Sequence, residues 1–315
     1  MAGEKRQDMR RELEALRKKA RGVFGAGAEE PGASDEAPAS GSRRDLRRTP
    51  GNGRAADGDR GPAAPAPRRR GPPGPLEALV PGDIHRTASG SLWRIRKCAE
   101  TIWPRAGDIH REYIEVLASP GPAPAGRGVL EELKAVRSGD ICYLDLETTG
   151  LRNSPLFLVG LMYSEGESLV IDQLFARDYT EERAVVELAG VLLSGFPMLV
   201  TFNGERFDIP FLAERTAYSG LPFARPRAHL DLLPVSRSIL AGRTPNHRLQ
   251  TLERFVLGRK RVGDIPGCDI PPAYHEFVRT GDAADMSAVI HHNRLDLLSM
   301  LELVTVYLGH AGETG

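Results

Sequence analysis

Ile141-Cys142-Tyr143-Leu144-Asp145-Leu146-Glu147-Thr148-Thr149-Gly150 begins as an apolar run of strand length and ends in a small, glycine-terminated turn. A strand alternates faces with period 2, so Asp145 and Glu147 project to the same side near its far end. Two carboxylates on one face beside apolar neighbours repel each other unless a cation or a proton lies between them. The pair reads either as a charged strand end in water or as part of a cation site.

The segments that follow build a sheet around this strand. Pro155–Tyr163 (PLFLVGLMY) is almost wholly apolar and predicts a buried strand; Ser168–Phe175 alternates and predicts a third. Thr180 is placed to cap a helix with Glu181 and Glu182 in its first turn, running to about Leu193. Pro197–Phe202 reads as a fourth strand, Asn203-Gly204 as a turn, and Phe207 to Tyr218 as a helix. Further helices are expected at 231–240, 248–257 and 283–309, with a Pro- and Gly-rich stretch at 262–274. This order predicts an α/β fold: a mixed sheet flanked by helices, in which three strands form an antiparallel meander and a fourth returns parallel through a crossover helix.

Four regions are expected. Residues 1–75 read as a disordered basic tail, poor in large apolar residues, with one short charged helix at 8–21 and a solvated run at Arg68-Arg69-Arg70. Residues 76–117 carry enough apolar material for a small strand-containing lobe. Residues 118–137 read as a linker with a short helix from Val129 to Val136, and 138–310 as the main domain. The tail holds 17 of the 42 basic residues and 11 of the 42 acidic ones, a net of +6, which leaves the body at −6. An acidic body suits a polyanion only where some acids hold cations that reverse the local sign. Cys98, Cys142 and Cys268 are far apart and form no CxxC pair, which argues against a thiolate zinc site and for reduced thiols. The start lacks an apolar export core and no run of 18 apolar residues occurs, so the expected setting is cytoplasmic, without a membrane span.

Two further acids stand in marked positions. Asp208 follows Phe202-Asn203-Gly204-Glu205-Arg206-Phe207 at a strand-to-helix junction, where functional groups collect in such sheets, although an acid at a helix start is also favoured by the helix dipole. Asp296 lies in a leucine-rich helix within His291-His292-Asn293-Arg294-Leu295-Asp296, and His292 precedes it by four residues, on the same helix face.

This ordered set resembles the DEDD exonuclease superfamily, whose fold is ribonuclease H-like, and within it the YprB-type branch. The similar segments are LDLETTGL (144–151), TFNGERFDIPFL (201–212), HLDLLPVSR (229–237), LQTLERFVLGRKRVGDIPG (249–267) and HHNRLDLLSM (291–300). The resemblance implies Asp145, Glu147, Asp208 and Asp296 as ligands of two divalent ions, Mg²⁺ or Mn²⁺, which hard oxygen donors suit. It implies a histidine base, either His292 in a His-Asn-x-x-Asp pattern or His291 five residues before the last acid. It also implies single-stranded DNA or RNA as substrate, cut from the 3′ end. Thr148 and Thr149 either contact that substrate or shape the turn to Gly150. Asn203 either bonds a sugar or phosphate or caps a helix, and Phe207 is a core residue or a base-stacking platform. Asp231 reads as a helix N-cap, and Asp264 and Asp269 as turn residues.

Two other readings stay open: a non-catalytic nucleic-acid-binding module on the same fold, and a phosphoesterase for small nucleotides. An open groove with basic walls favours a polymer, and Arg152, Arg206, Arg237, Arg243, Arg248, Arg259, Lys260 and Arg261 are the residues placed to supply such walls.

Overall fold

The computed structural model describes residues 72–119, 128–151, 153–223 and 226–309. The expected helix at 8–21, all but the last four residues of the expected tail, residues 120–127 of the expected linker, and Arg152 lie outside the described residues.

Seven strands form one sheet among the described residues: β1 (Asp83–Thr87), β2 (Gly90–Cys98), β3 (Ile141–Thr148), β4 (Leu156–Glu165), β5 (Ser168–Phe175), β6 (Met198–Thr201) and β7 (Ala228–Asp231). Their order is β1-β2-β5-β4-β3-β6-β7. The strands from β1 to β3 pair antiparallel, and β3, β6 and β7 are parallel. The expected meander and parallel return are both present. The strands expected in residues 76–117 do not close on themselves: β2 hydrogen-bonds to β5 and extends the same sheet. Ile114 and Val116, also expected in that strand-rich lobe, lie instead in helix α1 (Ala106–Ala118), whose buried Ile109, Tyr113 and Leu117 recur at helical spacing.

Besides four-residue helices at Leu76–Leu79 and Ala99–Ile102, the other α-helices among the described residues are α2 (Gly128–Lys134), α3 (Glu182–Leu193), α4 (Asp208–Tyr218), α5 (Leu232–Ile239), α6 (Leu249–Phe255), α7 (Ile270–Thr280) and α8 (Met286–Gly309). Three elements depart from the sequence reading. Thr180 does not cap α3: it lies in a 3-10 turn, Tyr179–Glu181, whose cap is Asp178, accepting from Thr180 N at 2.8 Å, and α3 continues from that turn at Glu182. His229-Leu230-Asp231 belongs to the short strand β7, which has only four residues and so shows almost no alternation. The Pro- and Gly-rich stretch ends inside α7, which accepts Pro271 and Pro272 in its first turn, where the missing N–H groups have no intrahelical role.

Period 2 divides β3 between two cores. Cys142, Leu144 and Leu146 pack with α3 and α4 residues such as Val185, Leu188 and Ile209. Ile141 and Tyr143 pack on the other side with Leu297, Leu298 and Leu301 of α8. Asp145 and Glu147 continue that second face, so they turn toward α8 as the alternation requires. From Leu297 to Leu308 every residue of α8 is buried, because the helix lies between the sheet and α1. A helix apolar all round needs such a place.

The register of three strands fixes α8 against the sheet. Asp145 of β3 faces Gly160 of β4, which faces Gln173 of β5. Gly160 leaves the gap into which Asn293 of α8 inserts; a Cβ at position 160 would stand 2.1 Å from Asn293 Oδ1. Gln173 Nε2 donates to Asn293 Oδ1 at 2.8 Å and to the Ile290 carbonyl at 2.9 Å. Gly160→Ala is therefore expected to cost about 2–3 kcal/mol, the upper range for an overpacked site. Urea unfolding should show a lower midpoint with an unchanged slope. An unchanged midpoint would mean that α8 does not depend on this gap.

Candidate active site

The four acids come together at the C-terminal end of β3. Parallel pairing of β3 with β6 stops at Tyr143 opposite Val200. Beyond that point the Leu146 N–H has lost its strand partner, and it donates to Asp208 Oδ1 at 3.2 Å. This bond ties the first residue of α4 to the backbone between Asp145 and Glu147. The loop that delivers Asp208 is tight. Asn203 takes a left-handed φ of 66°, and a Cβ on Gly204 would meet Thr201 Oγ1 at 2.3 Å. Asp231 caps α5 by accepting from Leu233 N at 2.9 Å, as its N-cap reading requires. It also accepts from Asn203 N at 2.7 Å and Glu205 N at 3.1 Å, and so pins the same loop.

Asn293 Nδ2 donates to Asp145 Oδ2 at 2.8 Å and to the Asp145 carbonyl at 3.1 Å. Asp296, one turn away on α8, accepts from Arg261 Nη2. Glu147 accepts no hydrogen bond among the described residues. Asp208 is buried, whereas Asp145, Glu147 and Asp296 are partly exposed, so the cluster opens to solvent on one side.

Arg261 links the loop after α6 to this site. Its buried guanidinium donates to Glu253 Oε1 at 2.5 Å and Oε2 at 2.7 Å, to Asp264 Oδ2 at 3.1 Å, and to Asp296. His292 is buried, with Nδ1 at 2.8 Å from Asp264 Oδ1 and Nε2 at 3.9 Å from Asp296 Oδ2. A carboxylate that receives Nδ1–H fixes the tautomer and leaves Nε2 facing the acids. His291 is half-buried, and burial lowers its pKa. Asp264, expected as a turn residue, is the partner of the candidate base. Its only signal in sequence was an acid in a loop, 28 residues before that histidine. Arg259 and Arg261, expected as basic walls, are internal: Arg259 pairs with buried Glu302 at 2.9 Å, and Arg261 faces three carboxylates.

The candidate substrate residues divide differently. Thr148 Oγ1 donates to the Gly150 carbonyl at 2.7 Å, and Thr149 Oγ1 to the Pro155 carbonyl at 3.2 Å, so both hydroxyls shape the turn. Phe207 packs on Phe211 with ring centres 5.5 Å apart, against the core. Asn203 lines an open cleft past the end of β6.

The electrostatics follow from burial and like charge. Burial, then Asp296, Glu147 and Asp208, push Asp145 well above the usual carboxylate range. Burial pushes Glu147 up to about 8; the His292 charge opposes this and the other acids add to it. Burial raises Asp208 to about 7, against its backbone hydrogen bonds. Asp296 is raised by burial, with Arg261 and His292 opposing. For His292 burial acts downward, but the bond to Asp264 and the charges of Asp296 and Glu147 bring it up to about 9.

Four carboxylates with raised pKa values, one of them accepting no hydrogen bond among the described residues, are a donor set that suits hard divalent cations. Among the described residues no three acids, histidines or cysteines close into a ready-made cage. The cluster brings the donors together without gripping a point.

These shifts set a pH dependence of stability. A carboxylate raised in the folded state contributes stability at low pH, which is lost as pH climbs from the unfolded value near 4 through about 7 and about 8. His292, raised to about 9, contributes stability below its unfolded value and loses it through about 9, in the same direction. The melting temperature in EDTA should fall by roughly 4 °C or more between about pH 5 and pH 9, using ~2–4 °C per kcal/mol. Mn²⁺ at about pH 8 should restore it. A melting temperature independent of both pH and Mn²⁺ would show that the acids neither repel one another nor take a cation.

The sequence profile of the RNase_H superfamily matches residues 142–308. The uncharacterized protein YprB of Bacillus subtilis is 29% identical over 177 residues, covering 54% of this chain and 42% of that protein. DNA polymerase 1 of Aeropyrum pernix is 25% identical over 157 residues, covering 47% of this chain and 16% of that protein. The chain thus spans less than half of either relative. A family B DNA polymerase from the archaeon Pyrobaculum calidifontis aligns in structure with a TM-score of 0.42 and 19% identity, covering 52% of this chain and 24% of that one. No helix among the described residues is long and apolar enough to cross a membrane. The profile match runs from Cys142 in β3 to Leu308 in α8 and takes in the acids, the histidines and the loop of Asp264: the chain belongs to the RNase_H superfamily, and its domain is ribonuclease H-like of the YprB type.

Proposed function

We propose that this protein hydrolyses phosphodiester bonds of single-stranded nucleic acid, from the 3′ end, with two divalent ions. The observation that carries the reading is the meeting of Asp145, Glu147, Asp208 and Asp296 at one open end of β3, beside a buried histidine oriented by a half-buried carboxylate. In this reading the four acids hold Mg²⁺ or Mn²⁺. Such ions, when bound, supply an activated water and offset charge on the departing oxygen.

The chain's own groups divide the remaining work. His292 Nε2 receives the proton of the attacking water, and Asp264 holds the ring by Nδ1. The bond to Asp264 and the charges of Asp296 and Glu147 hold the His292 pKa up, at about 9; offsetting the charge of the acids would bring it down, toward the range where Nε2 can accept a proton. His291 sits about 100° further round the helix and has no such partner in this scheme. Asn293 holds Asp145, and Arg261 holds Asp296, at fixed positions for the ions. Thr148 and Thr149 hold the turn that borders the strand's end: the Thr149 N–H donates to the Pro155 carbonyl at 3.0 Å, and both hydroxyls bond within the turn. Asn203 offers its side-chain amide to a sugar or phosphate, and Phe207 supports the loop from the core.

Degradation of 5′-labelled single-stranded DNA and RNA tests this directly. With Mn²⁺ or Mg²⁺ a ladder should shorten from the 3′ end, and it should vanish with EDTA and in Asp145→Ala. Asp264→Asn should lower kcat about 10- to 100-fold with KM little changed, the usual loss when a histidine loses its orienting carboxylate. Intact oligonucleotides in every lane with tight binding would favour a non-catalytic binding module. Cleavage of a nucleotide p-nitrophenyl ester alone would favour a small-nucleotide phosphoesterase.

A further inference from the structure

Past the ends of β6 and β7 lies a cleft of about 590 Å³ whose walls include Phe202, Asn203, Leu233, Arg237, His247 and Arg248. Its size falls within the ~300–1,000 Å³ of ligand sites. Topology places it on the same edge of the sheet as the acids. β3, β6 and β7 run parallel, with Tyr143 opposite Val200 and Thr201 opposite Asp231. Phe202 and Asn203 leave the end of β6, Leu233 and Arg237 lie on α5 just after β7, and Asp145 and Glu147 end β3. Ligands of such sheets bind outside the carboxyl ends of the strands. Two strand spacings, about 10 Å, separate β3 from β7.

The chemistry of the walls is directional. Arg237 and Arg248 are exposed, and among the described residues neither guanidinium pairs with a carboxylate, although the body of the protein is acidic. Arg259 and Arg261, close in sequence, are spent on internal acids. The Nε2 atom of His247 is buried with no hydrogen-bond partner among the described residues. Phe202 and Leu233 add an apolar flank. The wall carrying Arg248 is preformed, since Asn246 Oδ1 accepts from Arg248 N at 3.0 Å and Thr251 Oγ1 at 2.7 Å.

We propose that this cleft binds the phosphodiester backbone of the same single strand whose end lies at the acids, with Arg237 and Arg248 on phosphates and a base against Phe202 and Leu233. The inference rests on the hydrolytic reading for its ligand class. Free guanidiniums recognise phosphate by paired N–H donors, and apolar side chains take bases without regard to sequence. A strand lying in both places has its end at the acids and its body two β-strands away.

Binding of a 5′-fluorescein single-stranded 12-mer in EDTA, followed by anisotropy across salt concentrations, separates this inference from hydrolysis. R237A/R248A should weaken binding at least about tenfold. It should also flatten the plot of log K against log salt by about 1.4, from ~0.7 per lost phosphate contact. R237K/R248K should keep the slope. R254A, which removes an exposed guanidinium on α6 outside the cleft walls, should not change it. An unchanged slope in R237A/R248A, or an equal change in R254A, would overturn the cleft assignment and leave the hydrolytic reading standing. Wild-type protein that binds with the expected slopes but cleaves nothing would remove the hydrolytic reading and leave the cleft.

Discussion

The molecule is organised around a repulsion. Four carboxylates converge at the end of one strand, and burial strengthens the force that drives them apart. They stay together because the fold gives most of them a fixed donor. Asn293 holds Asp145, the Leu146 N–H holds Asp208, and Arg261 holds Asp296. Two of those donors are neutral, so position is secured while most of the charge is left. The surplus is what a divalent cation would neutralise, and Glu147, with no hydrogen bond among the described residues, is where it is least answered.

The rest of the sheet serves this arrangement. A glycine at 160 has no helical or turn role; it admits Asn293, and through it α8, to within hydrogen-bond reach of β3. Gln173, one strand further, clamps the same helix from the other side, and Arg294 Nε donates to its Oε1 at 2.7 Å. The early end of β6 leaves Leu146 N–H for Asp208. Each departure from regular pairing thus appears where an acid has to be placed, as expected when local rules yield to a site.

Much of this was legible in sequence because it is local. Asp145 and Glu147 follow from period 2, His292 and Asp296 from helical spacing, and Asp208 from its place after a strand and a turn. The meander and its parallel return follow from the apolar runs. What was hidden depends on pairs distant in the chain. Asp264 and His292 are 28 residues apart, and Gly160 and Asn293 more than a hundred. β7 is too short to show alternation, and Pro271 and Pro272 resemble a loop although they open α7. Arginines 259 and 261 read as surface charge because sequence alone does not show that Glu302 and Glu253 are buried behind them.

That sorting of arginines bears on how an acidic body meets a polyanion. Residues 76–315 carry −6, offset in the whole chain by +6 over residues 1–75, so within the acidic body any attraction to a polyanion has to be short-range and placed. The internal pairs remove Arg259 and Arg261 from that task and give them to the frame that holds Asp296 and α8. Arg237 and Arg248 have no carboxylate partner among the described residues and stand on the cleft wall, past the end of β7, two strands from β3. In the proposed reading these two guanidiniums give a polyanion a cationic wall on the sheet edge where β3 ends. In such a design selectivity for an entering strand comes from where the unpaired charges lie, because the body that carries the site is net negative.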